Sequence, residues 1–584
     1  MIELLSEHVA NQIAAGEVIQ RPASAVKELL ENAVDAESTK IQLIIKDAGA
    51  TLVQVIDNGF GMSKNDAELC FKKHATSKIK STDDLFSISS KGFRGEALSS
   101  IAAVAQVELK TKKKSDEIGH QINIEASKII NSESCAYSKG TSISMRNLFY
   151  NVPARRNFLK SKGVETKHII DEFQRIALTH PEIHFTMHHN ESLLFDLPIS
   201  KRRQRIVGVF GNKYKERLVP VEEKTSITTI EGFVLKPKFS KRTRGEQFLF
   251  INNRYIKNNS INHAIKVVFK DLIGHDYFPS YFIYLTVPYD SIDVNIHPSK
   301  TEIKFEDERA VYELVKSSVR SSLSKNNIAP SIDFNLETSF DVTPLKEGST
   351  VKFPSISVDP NYNPFQKENK LDIKENINLL QNNFKPFDNL PNQDDFSDNS
   401  YLFLQLGTRY IITIKKNGLL IIDVFRAHQQ IKFEELIERY KNGEVSSQRL
   451  LHPIELELSS GDVLICLEIK EDLERLGIEI DQFGKQSIVI NTFPGSSSSI
   501  DGKSFIESCL ENIKNNNDDF EIPYRKIAWN ISTSYAHGTQ KNMSKKEMAY
   551  LIDCLFSCQN SLKNSKGLSI VKETSQEEIN KMFN

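Results

Sequence analysis

The sequence predicts a mixed α/β protein of several domains, and three observations carry this prediction. Its 584 residues are enough for about three or four domains on length alone. Helical and strand patterns alternate through residues 1–330, an order typical of α/β folds. A stretch rich in Asn, Asp and Pro then separates this block from a second ordered block that begins near Tyr401.

Bulk composition narrows the class of protein. Hydrophobic residues make up 39% and charged residues 26%, as in globular domains. We expect no membrane partner and no signal peptide, because no apolar run approaches about 20 residues and the first residues lack a basic segment before an apolar one. The six scattered cysteines are typical of reduced thiols, so a cytoplasmic location is expected. The net charge of −1 neither favours nor excludes nucleic acid.

The first block divides into two predicted domains, 1–208 and 209–330. In the first we expect a helix over 22–36, strands over 41–46 and 52–57, a helix over 64–73 and a glycine-containing loop over 76–95. In the second we expect strands over 228–235, 247–252 and 281–287, and helices over 260–272 and 308–323.

The remaining chain divides into a flexible linker and a C-terminal domain. Residues 331–398 have no sustained apolar period, so burial cannot offset the entropy of ordering them. Residues 399–584 alternate strand and helix patterns, and the Asn417-Gly418 pair between apolar runs predicts a hairpin. We therefore expect a C-terminal α/β domain.

Two groups of polar residues in the first domain suggest a nucleotide site. Glu28 and Asn32 are four residues apart and share one face of the first helix. The strand over 52–57 ends in Asp57, followed by Gly59 and Gly61. That carboxylate can accept a hydrogen bond from an exocyclic amine, and the glycines allow close approach to a flat ring. Taken alone, the first pair also fits a solvated helix face and the second a tight turn.

Two further segments fit phosphate and base contacts. Glycines in the Lys91–Leu98 segment precede a predicted helix, whose first N–H groups attract phosphates. The Gly140–Ile143 segment begins a predicted strand. The chain has no Walker A pattern, so a P-loop fold is excluded.

Taken together, these segments resemble the MutL family of the GHKL ATPase superfamily. The matching runs are ANQIAAGEVIQRPASAVKELLENAVDA, IDNGFGM, HATSKI, KGFRGEALSSIAAV and GTSISMRNLFYNVPARRNFLKS, in the family's order. The resemblance covers nearly all of residues 1–330. It implies a layered GHKL ATPase domain, a smaller α/β transducer domain, a linker and a C-terminal dimerisation domain.

The resemblance also implies roles for individual residues. Glu28 would be the general base that activates water, and Asn32 would bind Mg²⁺ beside ATP. Asp57 would contact the adenine amine, and Lys300 would reach the γ-phosphate from the transducer domain, so that hydrolysis changes domain orientation. The other expected nucleotide contacts are Gly59, Gly61, Met62, Thr76, Ser77, Lys78, Gly92, Phe93, Arg94, Gly95 and Thr141. The first twenty residues would order across a partner chain when ATP binds.

Basic clusters predict contacts with DNA phosphates, although each alone also fits a solvated loop. The resemblance to a family with a positively charged groove favours double- and single-stranded DNA as partners. The assigned residues are Arg155, Arg156, Arg242, Arg254 and Lys257. Asn259 stands where some relatives carry a basic side chain, so the chain departs from the family's pattern at this position.

The C-terminal block departs from the metal-dependent nuclease pattern of many MutL proteins. Phe425 replaces the metal-binding His, Gln429 replaces the first Glu, and His537 lacks its usual Cys companion. We expect no nicking, because a phenyl ring and a neutral amide are poor substitutes for metal ligands. Gln448, Leu451 and Pro453 match a sliding-clamp-binding peptide, with a strand entry as the alternative.

The leading hypothesis is therefore a slow, Mg²⁺-dependent ATPase and homodimer that couples mismatch recognition by MutS to a helicase or a separate endonuclease. It would work in the cytoplasm at the nucleoid. One alternative is a MutL endonuclease with a divergent metal site, and another is a scaffold that binds nucleotide without turnover. A type II topoisomerase subunit is disfavoured, because no acidic cleavage domain follows the predicted transducer.

Overall fold

A computed structural model describes most of the chain outside the predicted linker. The described residues are 15–76, 95–241, 246–274, 277–293, 303–326, 403–415, 418–445, 447–484, 486–494, 502–514, 522–539 and 541–581. The predicted linker at 331–398 lies outside them. No helix within these ranges is long and apolar enough to cross a bilayer.

The first region is an eight-stranded mixed sheet covered by helices. Its strands are β1 (Lys40–Lys46), β2 (Leu52–Asp57), β3 (Gln106–Lys112), β4 (Gly119–Glu125), β5 (Lys128–Cys135), β6 (Gly140–Arg146), β7 (His184–His189) and β8 (Ser192–Leu197), in the order β5-β4-β3-β6-β2-β1-β7-β8. Its helices are α1 (Pro22–Asp35), α2 (Lys64–Leu69), α3 (Ala97–Val104), α4 (Pro153–Asn157), α5 (Lys162–Thr179), α6 (Arg202–Phe210) and α7 (Tyr214–Arg217).

Helix α1 begins and packs as its sequence predicts. Pro22 occupies the first turn, where its missing N–H costs no hydrogen bond. Val26, Leu29 and Leu30 are buried against the sheet, together with Leu43 of β1 and Val55 of β2. Glu28 and Asn32 are half-buried on the same helix. The amphipathic pattern thus fixes which face of α1 is left for chemistry.

The second region contains a five-stranded sheet of order β12-β11-β13-β10-β9 and a short two-stranded pair. The strands are β9 (Leu218–Lys224), β10 (Thr229–Leu235), β11 (Gln247–Ile251), β12 (Arg254–Tyr255), β13 (Tyr281–Thr286), β14 (Ile292–Asp293) and β15 (Lys304–Phe305); the helices are α8 (Asn259–Phe269) and α9 (Glu308–Lys325). Helices α8 and α9 bury Ile265 and Val315 against the sheet.

The C-terminal region contains a four-stranded and a three-stranded sheet, ordered β16-β17-β18-β22 and β19-β21-β20. The strands are β16 (Phe403–Leu406), β17 (Tyr410–Lys415), β18 (Gly418–Asp423), β19 (Ser447–Glu457), β20 (Ile480–Gln482), β21 (Ser487–Pro494) and β22 (Val571–Ser575). The helices are α10 (Val424–Asn442), α11 (Ser460–Glu468), α12 (Lys470–Arg475), α13 (Gly502–Lys514), α14 (Pro523–Gly538), α15 (Lys545–Ser557) and α16 (Gln576–Lys581).

The predicted fold class is confirmed: helices and sheets alternate in all three regions. The predicted hairpin is also confirmed, since Lys415 pairs with Gly418 across β17 and β18. Two predicted helix ends were wrong. The helix expected over 260–272 ends at Phe269. The helix expected over 64–73 ends at Leu69, and Cys70 closes it with a backbone bond to Asp66.

Candidate nucleotide-binding site

The centre of the candidate pocket is Asp57, the last residue of β2. Its Oδ1 accepts hydrogen bonds from the Gly59 N–H at 2.8 Å and from the Ser38 hydroxyl at 3.3 Å. The Thr141 N–H from β6 also donates to this carboxylate. Burial raises the pKa of Asp57 to about 6, and these three donors oppose the rise because they stabilise the charged form. The side chain is therefore held in one orientation.

Close backbone contacts explain the two glycines after Asp57. A Cβ on Gly59 would come within 2.5 Å of the Ala36 carbonyl oxygen, just past the end of α1. Gly61 has a φ of +69°, and a Cβ there would overlap the carbonyl oxygen of Lys112. The Phe60 N–H also donates to the Ala36 carbonyl at 3.1 Å. These contacts bring the helix that carries Asn32 against the loop that follows Asp57.

A chain of hydroxyl groups joins this loop to β6. The Met62 N–H donates to Thr111 Oγ1 at 2.9 Å, and that oxygen lies 3.1 Å from Thr141 Oγ1. The Thr111 hydroxyl also donates to the Gly140 carbonyl at 3.1 Å. Thr111 and Ser38 were missed at the sequence level. The inward position of Thr111 on the alternating strand β3 was the available signal.

Gly95 lies against the backbone of Ala75, just before the expected nucleotide contacts Thr76, Ser77 and Lys78. Its φ is +62°, and a Cβ there would come within 2.6 Å of the Ala75 carbonyl oxygen. The His74 N–H donates to the Gly95 carbonyl at 3.1 Å. Thr76, which is exposed, therefore lies near the start of α3. The described residues on either side of 77–94 thus meet at the N-terminal end of α3.

Several predicted site residues lie outside the described ranges. These are Ser77, Lys78, Gly92, Phe93, Arg94, Arg242 and Lys300. Of the others, Asp57, Gly59, Gly61, Met62 and Thr141 are brought together by the contacts described above, and Asn32 lies on the helix whose C-terminal end touches Gly59.

The predicted DNA-binding residues occupy two loops. Arg156 is exposed and Arg155 is half-buried on α4. Arg254 and Lys257 follow the tight β11–β12 turn, in which Asn252 and Asn253 have φ values of +47° and +62°. Two consecutive left-handed residues are typical of a two-residue hairpin turn.

The positions of the nuclease pattern are used for packing in the C-terminal region. The ring of Phe425 lies 4.8 Å from that of His537, measured between centroids. Gln429 donates to Thr533 Oγ1 at 2.7 Å. Asp423 caps α10 by accepting the Arg426 N–H at 3.1 Å. Within the described residues, no group of three or more His, Cys, Asp or Glu side chains is arranged to hold a metal ion.

Glu434, the last acidic position of the pattern, binds the backbone. Its two carboxylate oxygens accept the N–H groups of Gln559 at 2.7 Å and Asn560 at 3.1 Å. The Gln430 amide donates to the same carboxylate at 2.7 Å and accepts the Ser565 N–H at 3.1 Å. These side chains hold the segment after α15 in place.

The clamp-type peptide lies on a bulge of β19. The pairing of β19 with β21 shifts register between Arg449 and Ile454. Leu451 lies within this irregularity and is 90% exposed. Gln448 and Pro453 are also exposed. An aliphatic side chain held so far from the core is available to a partner.

Comparison with known proteins assigns the family. Residues 20–151 match the family described as histidine kinase-, DNA gyrase B- and HSP90-like ATPase. Residues 206–324 match the DNA mismatch repair protein C-terminal domain, and residues 403–542 match the MutL C-terminal dimerisation domain. The MutL protein of Christiangramia forsetii is 41% identical over 100% of this chain and 99% of its own length. The chain belongs to the MutL family of DNA mismatch repair proteins.

Two other MutL proteins align over nearly their whole lengths. That of Flavobacterium psychrophilum is 43% identical over 100% of this chain and 99% of its own, and that of Parabacteroides distasonis is 40% identical over the same shares. The chain is thus a MutL-family mismatch repair protein with an ATPase domain and a dimerisation domain. The family and the fold class predicted from the sequence are both confirmed.

Proposed function

We propose that this chain is an ATP-driven switch that couples mismatch recognition by MutS to a helicase or a separate endonuclease. The observation that carries the proposal is the arrangement around Asp57. A buried carboxylate held by three donors is a fixed acceptor for the adenine amine, which favours ATP over GTP. Gly59, Gly61, Met62 and Thr141 would line the base pocket.

We assign hydrolysis to the face of α1 that carries Glu28 and Asn32. Glu28 would accept a proton from the attacking water. Asn32 fits a magnesium site, because Mg²⁺ uses few protein oxygens and keeps water and phosphate oxygens as its other ligands. The ion would neutralise phosphate charge when bound. Thr76, Ser77 and Lys78, with Gly92, Phe93, Arg94 and Gly95, would close over the triphosphate, and Lys300 would contact the γ-phosphate.

The domain boundaries proposed from the sequence give each part of this mechanism its own domain. An ATPase domain at 1–208 would move against a transducer domain at 209–330. A flexible linker at 331–398 would connect them to the dimerisation domain at 399–584. Nucleotide-dependent contacts at Lys300 would then change the distance between the two N-terminal halves of a dimer.

The homodimer surface proposed is one face of the β16–β17–β18 sheet. Leu404 pairs with Ile412, and Ile412 with Ile421, so the three side chains form one row. Leu404, Leu406 and Ile414 are exposed on this face. The opposite face is covered, since Ile411 and Ile422 pack with Leu551 and Leu555 of α15. A contiguous apolar face of this kind is typical of an interface.

This surface is tested by size-exclusion chromatography with light scattering on the full chain. Ile414→Asp should shift the protein from dimer to monomer in the absence of nucleotide. Ile199→Asp, which changes an exposed isoleucine of the first region, is the matched control. Unchanged dimer mass in Ile414→Asp would remove the assignment.

Nicking activity is not proposed for this chain. Phe425 offers no metal ligand and Gln429 only a neutral amide, while Asp423 and Glu434 serve as a helix cap and a backbone acceptor. The alternative is an endonuclease with a divergent site. A supercoiled plasmid assay with Mn²⁺ and a sliding clamp decides between them. No nicked product is expected, and nicking that is lost in Asp423→Asn would establish the alternative.

Two partner surfaces complete the proposal. Arg155, Arg156, Arg242, Arg254 and Lys257 would contact double- and single-stranded DNA through phosphates. Gln448, Leu451 and Pro453 would bind a sliding clamp through the β19 bulge. Leu451→Ala should abolish capture by an immobilised clamp, whereas Leu562→Ala, another exposed leucine of this region, should not.

The function as a whole is tested by phosphate release from Mg²⁺·ATP. Slow turnover is expected from the purified chain. Binding of ATP without any hydrolysis, even in a single turnover, would support the pure scaffold instead.

A further inference from the structure

The loop Val152–Lys160, called here the basic loop, exposes an aromatic ring. Phe158 is 83% exposed, and no residue of the five-residue helix α4 just before it is buried. Removing a phenyl ring from water normally stabilises a protein. A ring left this exposed is therefore a candidate contact residue.

The exposure of Phe158 does not reflect a loose segment. The Phe158 N–H donates to the Arg155 carbonyl at 3.1 Å. Before the loop, the Asn151 amide donates to the Ala103 carbonyl at 2.9 Å. After it, the Lys160 N–H donates to Glu165 Oε1 at 3.1 Å. The loop is tied at both ends, so the ring is presented on a fixed platform.

Backbone strain marks the base of the same platform. Phe149 is fully buried and has a φ of +62°, a conformation that a bulky residue rarely adopts. Its N–H donates to the Val104 carbonyl at 2.8 Å, and the Leu148 N–H donates to the Ala50 carbonyl at 3.1 Å. The surrounding core thus holds a strained turn that projects the loop outward.

The chain segment that contains Phe158 has charges of one sign, and two of its basic residues pair with acids from elsewhere in the fold: Lys162 with Asp47 at 3.0 Å and Arg146 with Glu108 at 3.6 Å. Between Glu133 and Glu165 the chain carries six basic residues and no acidic one: Lys139, Arg146, Arg155, Arg156, Lys160 and Lys162. Arg156 and Lys160, which flank the ring in sequence, are both exposed. An apolar peptide ligand would gain nothing from this charge, whereas a nucleic acid strand would.

We propose that Phe158 stacks on an unpaired base of single-stranded DNA while Arg156 and Lys160 contact the flanking phosphates. The inference rests on the proposed DNA binding and adds a base contact to it. Every base has an aromatic face, so such a contact tolerates any sequence. In a duplex the bases are already stacked on each other, so the ring adds little there. The basic loop would therefore distinguish single-stranded from double-stranded DNA.

The test is fluorescence anisotropy of the full chain with labelled oligo(dT) and with a duplex of equal length. Phe158→Ala should weaken oligo(dT) binding by roughly 10-fold, or about 1.4 kcal/mol, because the stacking of one base on the ring is lost. Duplex binding and the salt dependence should stay unchanged. Arg156→Glu should weaken binding to oligo(dT) and binding to the duplex alike. Phe483→Ala is the matched control, since Phe483 is 59% exposed but lies two residues from Asp481.

A second variant reports the contact directly. The indole introduced by Phe158→Trp should be quenched by oligo(dT), whereas the natural Trp529 is buried and serves as the background signal in wild type. Binding of oligo(dT) without quenching would overturn the base contact and leave DNA binding standing. Failure of wild type to bind either oligonucleotide would overturn both. Loss of ATP-dependent dimerisation in Phe158→Ala, with oligo(dT) affinity unchanged, would assign the ring to a protein contact and overturn the proposal.

Discussion

The nucleotide pocket and the C-terminal nuclease pattern use acidic residues in opposite ways. Around Asp57, the donors orient the carboxylate at the proposed adenine contact. At Glu434, both oxygens are taken by the Gln559 and Asn560 N–H groups. Each carboxylate accepts two backbone N–H groups and one side-chain donor, but the donors of Glu434 belong to a segment that it holds in place, whereas those of Asp57 surround the proposed adenine contact. The difference lies in the partners, since both side chains are carboxylates.

The largest effect is expected on the rate of ATP hydrolysis, from replacing the proposed general base Glu28. Glu28→Ala should lower the rate of phosphate release by about 10²–10⁴-fold, the usual contribution of a general base. ATP binding should be retained, because the adenine contacts are untouched. Steady-state phosphate release measures the rate, with Glu31→Ala on the same helix as the control. Equal losses in both variants would mean that α1 was disturbed as a whole.

Replacing Glu434 should lower the stability of the C-terminal region. Glu434→Ala removes one carboxylate from two backbone N–H groups, which should lower the free energy of unfolding by about 2–3 kcal/mol. ATPase activity should be unaffected. Trp529 is the only tryptophan and is buried against Phe433, so its fluorescence reports urea unfolding of this region.

Glu438 on the same helix α10 is exposed and provides the matched control. Its replacement by Ala should change the free energy of unfolding by less than about 0.5 kcal/mol. If Glu434→Ala were equally neutral, the structural role assigned to this carboxylate would be wrong.

The pH dependence of nucleotide binding gives a smaller, diagnostic effect. The carboxylate of Asp57 is the proposed acceptor, so affinity should be full above its pKa of about 6 and fall as pH drops through that value. At pH 5 the dissociation constant for ATP should be roughly 10-fold higher than at pH 7.5. Because binding favours the charged form, protons should be released on binding near pH 6, which calorimetry in buffers of different ionisation enthalpy measures.

A control separates this effect from general acid sensitivity. In Asp57→Asn the position no longer titrates, so the remaining nucleotide affinity should lose most of its dependence on pH between 5 and 7.5. An identical pH profile in wild type and Asp57→Asn would show that another group controls binding.

Periodic segments were predictable from the sequence because burial alone specifies them. Helix α1 ends one residue before its predicted end, and strand β2 has its predicted bounds. The position of Asp57 at the end of β2 was also predictable, since a carboxylate at a strand end followed by glycines is a local pattern, and its contact with nucleotide stays a prediction. The hydroxyl relay through Thr111 was not, because it joins β3, β6 and the loop after β2. Such contacts depend on sheet order, which local periodicity does not contain.

The backbone contacts of Glu434 and the exposure of Phe158 could not be predicted, for the same reason. The sequence indicated that the metal ligands were incomplete, but not that Glu434 had become an acceptor for a segment 125 residues away. Nor did it distinguish the exposed Phe158 from the buried Phe149 nine residues earlier. The strained turn at Phe149 decides which ring is buried and which projects.

The claim that the Asp57 carboxylate binds the adenine amine of ATP can be measured by calorimetric titration. Mg²⁺·ATP is titrated into the full-length wild type and into Asp57→Asn. Wild type should bind one nucleotide per chain, and Asp57→Asn should bind it at least about 10-fold more weakly, the cost of one charge-assisted hydrogen bond. Equal affinity for the two proteins, or no binding to wild type, would contradict the claim.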